Sequence, residues 1–166
     1  MSEYGEVFCC IAEGPLDPEA IFQFTQQMQH GAQNYFFGAV REVNLGKTVM
    51  AVSYDAYAPL GEKILREIAR EAQDHWGKDL RIYVQHRVGQ LAVGEVSVGI
   101  GVSSLHRDES YMASRFIIEQ IKIRAPIWKK EHYEDGETEW LKGHALCQHR
   151  HKEKTQEIKH SCAAHL

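Results

Sequence analysis

The chain has 166 residues, 43% of them hydrophobic and 25% charged, with a formal net charge of −4. That size and composition suit one globular domain with its own core, and the acidic balance excludes general nucleic-acid affinity. No apolar run approaches the roughly 18 residues of a membrane span, and the acidic start MSEYGEVFCC is not a secretory signal, so the expected location is the cytoplasm.

Residues Tyr4 to Ala12 read as a first strand, with Val7, Phe8 and Ile11 apolar. Asp17-Pro18-Glu19 starts a helix: an Asp cap, proline at the first helical position and an acid in the first turn. Ile21, Phe22, Phe24 and Met28 form its apolar side, and Gly31 closes it. Gln33 to Glu42 is a strand of aromatic and β-branched residues, and Gly38 inside it predicts a bulge or a close backbone approach. After the turn Asn44-Leu45-Gly46, Lys47 to Tyr57 is expected to return as the second arm of a hairpin.

Pro59 to Trp76 is a second helix, since Leu60, Ile64, Leu65, Ile68 and Ala72 recur at helical spacing. Its solvated face carries Glu62–Arg66, a favourable i,i+4 pair, and Glu67–Glu71, an unfavourable one. Leu80 to Val88 is a strand. A short connection flanked by Gly89 and Gly94 leads to the strand Glu95 to Ser103. One face of that strand is Val96, Val98, Ile100 and Val102. The other is Ser97, Gly99, Gly101 and Ser103, small enough for a helix or a second subunit to pack very close. Asp108 is the expected cap of a third helix, Glu109 to Arg124, with Ala113, Phe116, Ile117 and Ile121 facing the core. Trp128 to His132 and Thr138 to Leu141 form a last hairpin about Glu134-Asp135-Gly136. This order, with hairpins rather than regular βαβ units, predicts an α+β fold with a mainly antiparallel sheet and three helices. Residues 1–143 are expected to form a single catalytic domain, and 144–166 a polar, His- and Lys-rich C-terminal extension.

The most informative stretch is IEQIKIRAPIWKKE, Ile118 to Glu131. Pro126 disfavours helical conformation at Ala125, so the third helix ends near Arg124 with Lys122 in its last turn, where a cation suits the dipole. Lys129 lies past the break, free to turn back beside Lys122. Lys122, Arg124, Lys129 and Lys130 alternate with Ile121, Ile123, Ile127 and Trp128. That pattern fits apolar anchors that aim the cations at one concave, anionic site. Two ammonium groups held close and partly desolvated make loss of a proton from one easier, which suits a base or nucleophile. Helix-end lysines are also common for dipole reasons alone.

His106-Arg107 sits where a strand hands over to a helix, beside free backbone N–H groups that favour an anion, and Arg adds a planar fork that fits phosphate. Arg41, taken alone, reads more readily as a rim arginine in a surface ion pair than as a site residue. Cys147, His149, His151, His160, Cys162 and His165 are metal-ligand types, but CxHxH followed by HxC matches no finger or ribbon spacing. No CxxC pair occurs, and Cys9, Cys10 and the two tail cysteines read as reduced thiols. No Walker loop, GxGxxG or HExxH is present. Neither a metal nor a cofactor is expected.

Taken together, FFGAVRE with NLGK after it, LRIYVQHRVGQLAVGE, SSLHRDES and above all IKIRAPIWKKE resemble the large, catalytic subunit of molybdopterin synthase. The resemblance covers about Asp17 to Gly143. It implies an α/β hammerhead-type fold, a homodimer, and a small ubiquitin-like sulfur-carrier partner bound by each large subunit to give a heterotetramer. It also implies the reaction: sulfur passes from the carrier's Gly-Gly thiocarboxylate terminus to cyclic pyranopterin monophosphate, two atoms per product, in molybdenum cofactor biosynthesis. Carried over by position, Lys122 and Lys129 are the catalytic lysines. Ala39, Val40, Arg41, His106, Arg107, Lys130 and Glu131, with both lysines, form the substrate pocket. Ala39 stands where the family often has Lys, which leaves that position only its backbone to offer. Two other readings compete with a sulfurtransferase. One is a non-catalytic phosphometabolite-binding protein of the same fold; the other is a lysine Schiff-base enzyme acting without a carrier.

Overall fold

The structure, a computed structural model, describes residues 4–142. The expected extension 144–166, with its cysteines and histidines, lies outside the described residues. No helix among those described is long and apolar enough to cross a membrane.

Twelve elements follow in chain order. They are β1 (Val7–Ala12), α1 (Pro18–Thr25), β2 (Ala32–Ala39), β3 (Val43–Asn44), β4 (Lys47–Ala56), α2 (Ala58–Trp76), β5 (Arg81–Arg87), β6 (Gly89–Ala92), β7 (Val96–Ser104), α3 (Arg107–Arg124), β8 (Ile127–Tyr133) and β9 (Thr138–Lys142). Two sheets result. The first has strand order β1-β5-β7-β2; the second has order β3-β4-β8-β9, with β6 also paired to β4. Every pairing is antiparallel except β1 with β5. The α+β architecture with three helices is thus observed.

The main core lies between the first sheet and helices α2 and α3. Leu65, Ile68, Ala69 and Ala72 of α2 and Ala113 and Ile117 of α3 are fully buried against Ile82, Val84, Ile100 and Val102. A smaller core, Val40, Val49, Val52 and Leu91, belongs to the second sheet. Asp17 caps α1 as expected, its carboxylate accepting from Glu19 N at 3.0 Å with Pro18 next. At the far end of α3, Ala125 is extended (φ −69°, ψ 135°) and Pro126 turns the chain directly into β8.

Several local expectations are corrected. The strands before and after the Asn44-Leu45-Gly46 turn do not form one long hairpin. β2 pairs with β7, β4 pairs with β8 and β6, and only the two residues of β3 fold back on β4. The chain therefore changes sheets at Val40-Arg41-Glu42, just after the register shift between Gly38 and Ala39. The connection after Gly89 contains the strand β6. α1 ends at Thr25, well short of Gly31, and Met28 is fully exposed rather than on its apolar side. α3 starts from His106, not Asp108, which lies inside its first turn. The repulsive Glu67–Glu71 pair is relieved by Arg124, which donates to both Glu71 oxygens at 2.7 and 2.8 Å and lies 4.0 Å from Glu67.

The small-residue face of β7 carries α1 of the same chain, not a second subunit. A Cβ built on Gly101 lies 2.6 Å from Ile21 Cγ2 and 3.0 Å from Thr25 Cγ2. Both are branch atoms close to their own backbone, so they have little room to yield. Gly101→Ala is therefore expected to lower stability by about 1–3 kcal/mol through overpacking, read as a lower urea midpoint with an unchanged m-value.

Candidate active site

A cleft of about 380 Å³ opens on the seam between the two sheets. Each wall is placed by a feature already described. The end of β2 contributes Phe36, Gly38 and Ala39, and the crossing segment contributes Arg41. β4 and β5 present Tyr54 and His86, and β7 presents Ser97 and Val98. The last turns of α3 supply Ile118, Ile121 and Lys122, and β8 returns with Ile127, Trp128 and Lys129. The Pro126 break thus does what the sequence implied: it sets Lys122 and Lys129, from two different elements, into one cavity.

Lys129 does not meet Lys122 as an unshielded twin ammonium. Its Nζ donates to Glu131 Oε1 at 2.7 Å, with the two side chains 18% and 5% exposed. Strand alternation puts Lys129, Glu131 and Tyr133 on one face of β8, with Tyr54 opposite Lys129 on β4. The other Glu131 oxygen accepts from Asn44 Nδ2 at 2.7 Å and from the Tyr133 hydroxyl. Asn44 Oδ1 in turn accepts from Arg41 Nη2 at 3.2 Å. An arginine can only donate and a carboxylate only accept, so this amide has one consistent orientation. Arg41, Asn44, Glu131 and Lys129 form one connected chain of charge-assisted bonds. Burial raises the Glu131 carboxyl, but the bonds from Lys129 and Tyr133 outweigh it and hold the group below its ordinary value, hence ionised.

The expected site residues fall into three groups. Arg41, Ala39, Lys122 and Lys129 line the cleft. Val40 and Glu131 stand behind it. Val40 is 5% exposed in the smaller core, with its N–H donated to Glu95 O and its carbonyl accepting from Gly94 N; it fixes where Arg41 emerges. The third group is elsewhere. Lys130 is on the opposite face of β8, its ammonium 5.9 Å from the centre of the Trp140 ring. His106 and Arg107 are exposed at the start of α3, the end opposite Lys122. Fifteen residues of helix, at a rise of about 1.5 Å each, set Arg107 roughly 22 Å from Lys122. Arg124, expected to face the same site, is taken by Glu71.

Sequence reading missed Asn44, Tyr133, Tyr54, Ser97 and His86. Asn44 resembled an ordinary turn residue. His86 did leave a trace, since it shares the inward face of β5 with Ile82 and Val84, an odd place for a polar ring. Its Nδ1 is 2.8 Å from Arg87 O, and its ring meets Tyr54 edge-on at 5.1 Å. Burial pushes its pKa down to about 4 against the pull of that backbone carbonyl, so the ring is neutral near pH 7. Among the described residues no group of three or more His, Cys, Asp or Glu could hold a metal ion.

Glu131→Gln leaves the Lys129 cation without its charge partner in a half-buried site. A loss of about 2–4 kcal/mol is expected by urea unfolding at pH 7. The Glu131 pKa is lowered in the folded state, so its stabilisation is complete above the ordinary carboxylate value of about 4.3 and fades as pH falls through the lower folded one. The gap between wild type and variant should therefore close on acidification below that value and stay constant above pH 6.

The comparisons agree with this architecture. The family model described as MoaE protein matches residues 11–124. The molybdopterin synthase catalytic subunit of Synechococcus elongatus is 47% identical over 136 residues, 82% of each chain. The crystal structure of molybdopterin synthase from Staphylococcus aureus superimposes with a TM-score of 0.76 at 36% identity, covering 85% of this chain and 98% of that one. A chain of the Helicobacter pylori complex of subunits 1 and 2 of molybdopterin-converting factor shares the fold, with a TM-score of 0.65 at 22% identity over 81% of this chain and 90% of that one. The match to the family model and the identity along most of the chain place it: it belongs to the MoaE protein family, that of the molybdopterin synthase catalytic subunits.

Proposed function

We propose that the cleft is where sulfur passes from the thiocarboxylated Gly-Gly tail of a small ubiquitin-like carrier to cyclic pyranopterin monophosphate. The observation that carries this reading is the convergence of Arg41, Lys122 and Lys129 on one cavity of a chain whose net charge is −4. Three cations at one seam of an acidic protein suit a ligand with a phosphate and a partner with an anionic tip. The membership of the family supports the sulfurtransferase assignment, and the name of the Helicobacter pylori complex supports a two-subunit enzyme.

The roles follow from chemistry. A C–S bond forms at the precursor and a C–O bond at the same carbon breaks, the departing oxygen needing a proton; water then cleaves the acyl C–S bond to the carrier, whose tail leaves as a carboxylate. Lys122, on the helix end, orients the thiocarboxylate and moves that proton. Lys129, clamped to Glu131, has few conformations open to it and serves as a fixed positive charge against negative charge building on the reacting atoms. Arg41, aimed by Asn44, takes a phosphate or carbonyl oxygen.

His106 and Arg107 stand too far along α3 to reach the same ligand from within one copy. They complete the pocket from a second copy, which makes the dimer part of the catalytic unit. Two features support that reading. β2 is the outer strand of its sheet, and it presents half-exposed Phe36 and Phe37 next to the cleft.

Lys122→Ala, assayed with loaded carrier and precursor, is expected to lose at least about 100-fold in turnover while still binding carrier. A rate near wild type removes Lys122 from the chemistry. Mixing two inactive variants, Lys122→Ala and Arg107→Ala, and allowing exchange should restore about a quarter of the native activity, because each mixed dimer holds one intact site. If both residues serve the same copy, no activity returns.

A further inference from the structure

The site described so far accounts for anionic ends: cations for phosphate and for a thiocarboxylate. It leaves open what reads the ring between them. Among the described residues, His86 is the one histidine that lines the cleft. It is 7% exposed, on the inward face of the central strand β5, between Ile11 of β1 and Val98 of β7. Its Nδ1 is 2.8 Å from Arg87 O, a carbonyl that can only accept, so Nδ1 carries the proton and Nε2 is the bare acceptor. The ring is held edge-on to Tyr54 at 5.1 Å, and Tyr54 also lines the cleft. A second buried histidine shows the contrast. His30, with a side chain 1% exposed, is bonded to Ser103, itself fully buried, and lies 3.4 Å from Asp79. That Ser-His-Asp alignment has no access to a substrate and is a structural tie.

We infer that His86 is a specificity residue whose Nε2 accepts a hydrogen bond from a ring N–H of the bound heterocycle. The inference rests on the function proposed above, because the reduced pterin supplies the donor. A fixed acceptor on the cleft wall discriminates sharply. A ligand with an N–H at that point gains a bond, while one presenting a lone pair meets another lone pair and leaves both unsatisfied. Its lowered pKa agrees with this role, since an imidazole that stays neutral near pH 7 cannot turn into a donor there. The backbone bond at Nδ1 and the Tyr54 edge are what fix the tautomer and the aim. His86 takes no proton in the sulfur transfer.

The test is calorimetric binding of cyclic pyranopterin monophosphate to the full chain, with turnover measured alongside using thiocarboxylated carrier. His86→Phe keeps the ring shape and removes the acceptor; His86→Gln keeps an amide oxygen near the Nε2 position. The phenylalanine variant should bind precursor roughly 10- to 100-fold more weakly, the glutamine variant within about 3-fold of wild type, and carrier affinity should be unchanged in both. A structural role predicts instead that glutamine does as badly as phenylalanine. Should either variant fail to fold, the imidazole nitrogens of wild type decide by ¹⁵N NMR. An unprotonated Nε2 that shifts on adding precursor supports the assignment; a protonated Nε2, or one blind to precursor, overturns it. Undiminished binding by a folded His86→Phe enzyme that still turns over sinks this inference and spares the proposed function. Absence of binding and turnover in wild type sinks both.

Discussion

One buried carboxylate organises the site. Glu131 is 4% exposed, and a bare charge so far from water is prohibitive unless donors surround it. Here they do: Lys129 on one oxygen, Asn44 and Tyr133 on the other. Each donor comes from a different position around the second sheet, so satisfying the charge also fixes their relative placement. Asn44 passes the constraint on to Arg41. The result is two cations, some distance apart on the cleft wall, whose positions depend on the same anion. Tyr133 extends the network outward, since Lys47 lies 5.3 Å from the centre of its ring and is paired with Asp135. Such networks act as units, and removing one member leaves the others buried and unpaired.

The second constraint is the seam. A single sheet could not have brought these groups together. The register shift at Gly38–Ala39 ends β2, and Val40, bonded on both sides of its peptide, carries the chain into the second sheet. Pro126 performs the matching manoeuvre on the other side, ending α3 over the first sheet and starting β8 in the second. Arg41 and the lysine pair emerge where these two crossings meet. The cleft is therefore a consequence of connectivity: it opens where elements of the two sheets and the last turns of α3 meet.

Much of this was legible in the sequence, wherever the signal was local. Helical spacing located α2 and α3, Asp17-Pro18 located the start of α1, Gly38 marked the bulge, and Pro126 marked the break that separates Lys122 from Lys129. What was not legible was pairing. Nothing near Gln33 says that it will pair with Ser103 of β7, seventy residues on, rather than with the strand just after the turn. The face of a short strand was equally hidden: Lys129 and Lys130 are neighbours in sequence, yet one faces the cleft and the other Trp140. Arg124 looked like a fourth site cation because its partner, Glu71, lies fifty-three residues away on another helix. The resemblance to a known family gathered His106 and Arg107 into the same pocket, but a list of positions does not say which copy of the chain each belongs to.

That last point bears on how the enzyme holds its charges. Within one copy the cleft carries Arg41, Lys122 and Lys129, and Glu131 behind it offsets one of them, leaving about two net positive charges for an anionic ligand. A further guanidinium, that of Arg107, placed in the same cavity by the same chain would repel these strongly, since the walls exclude much of the solvent that screens them. Keeping His106 and Arg107 at the far end of α3 avoids that cost in the lone chain. In the proposed dimer they join through assembly, and a bound phosphate then offsets the added charge. On that proposal the length of α3 is an electrostatic device as well as a packing element: it keeps Arg107 roughly 22 Å from Lys122 within a copy.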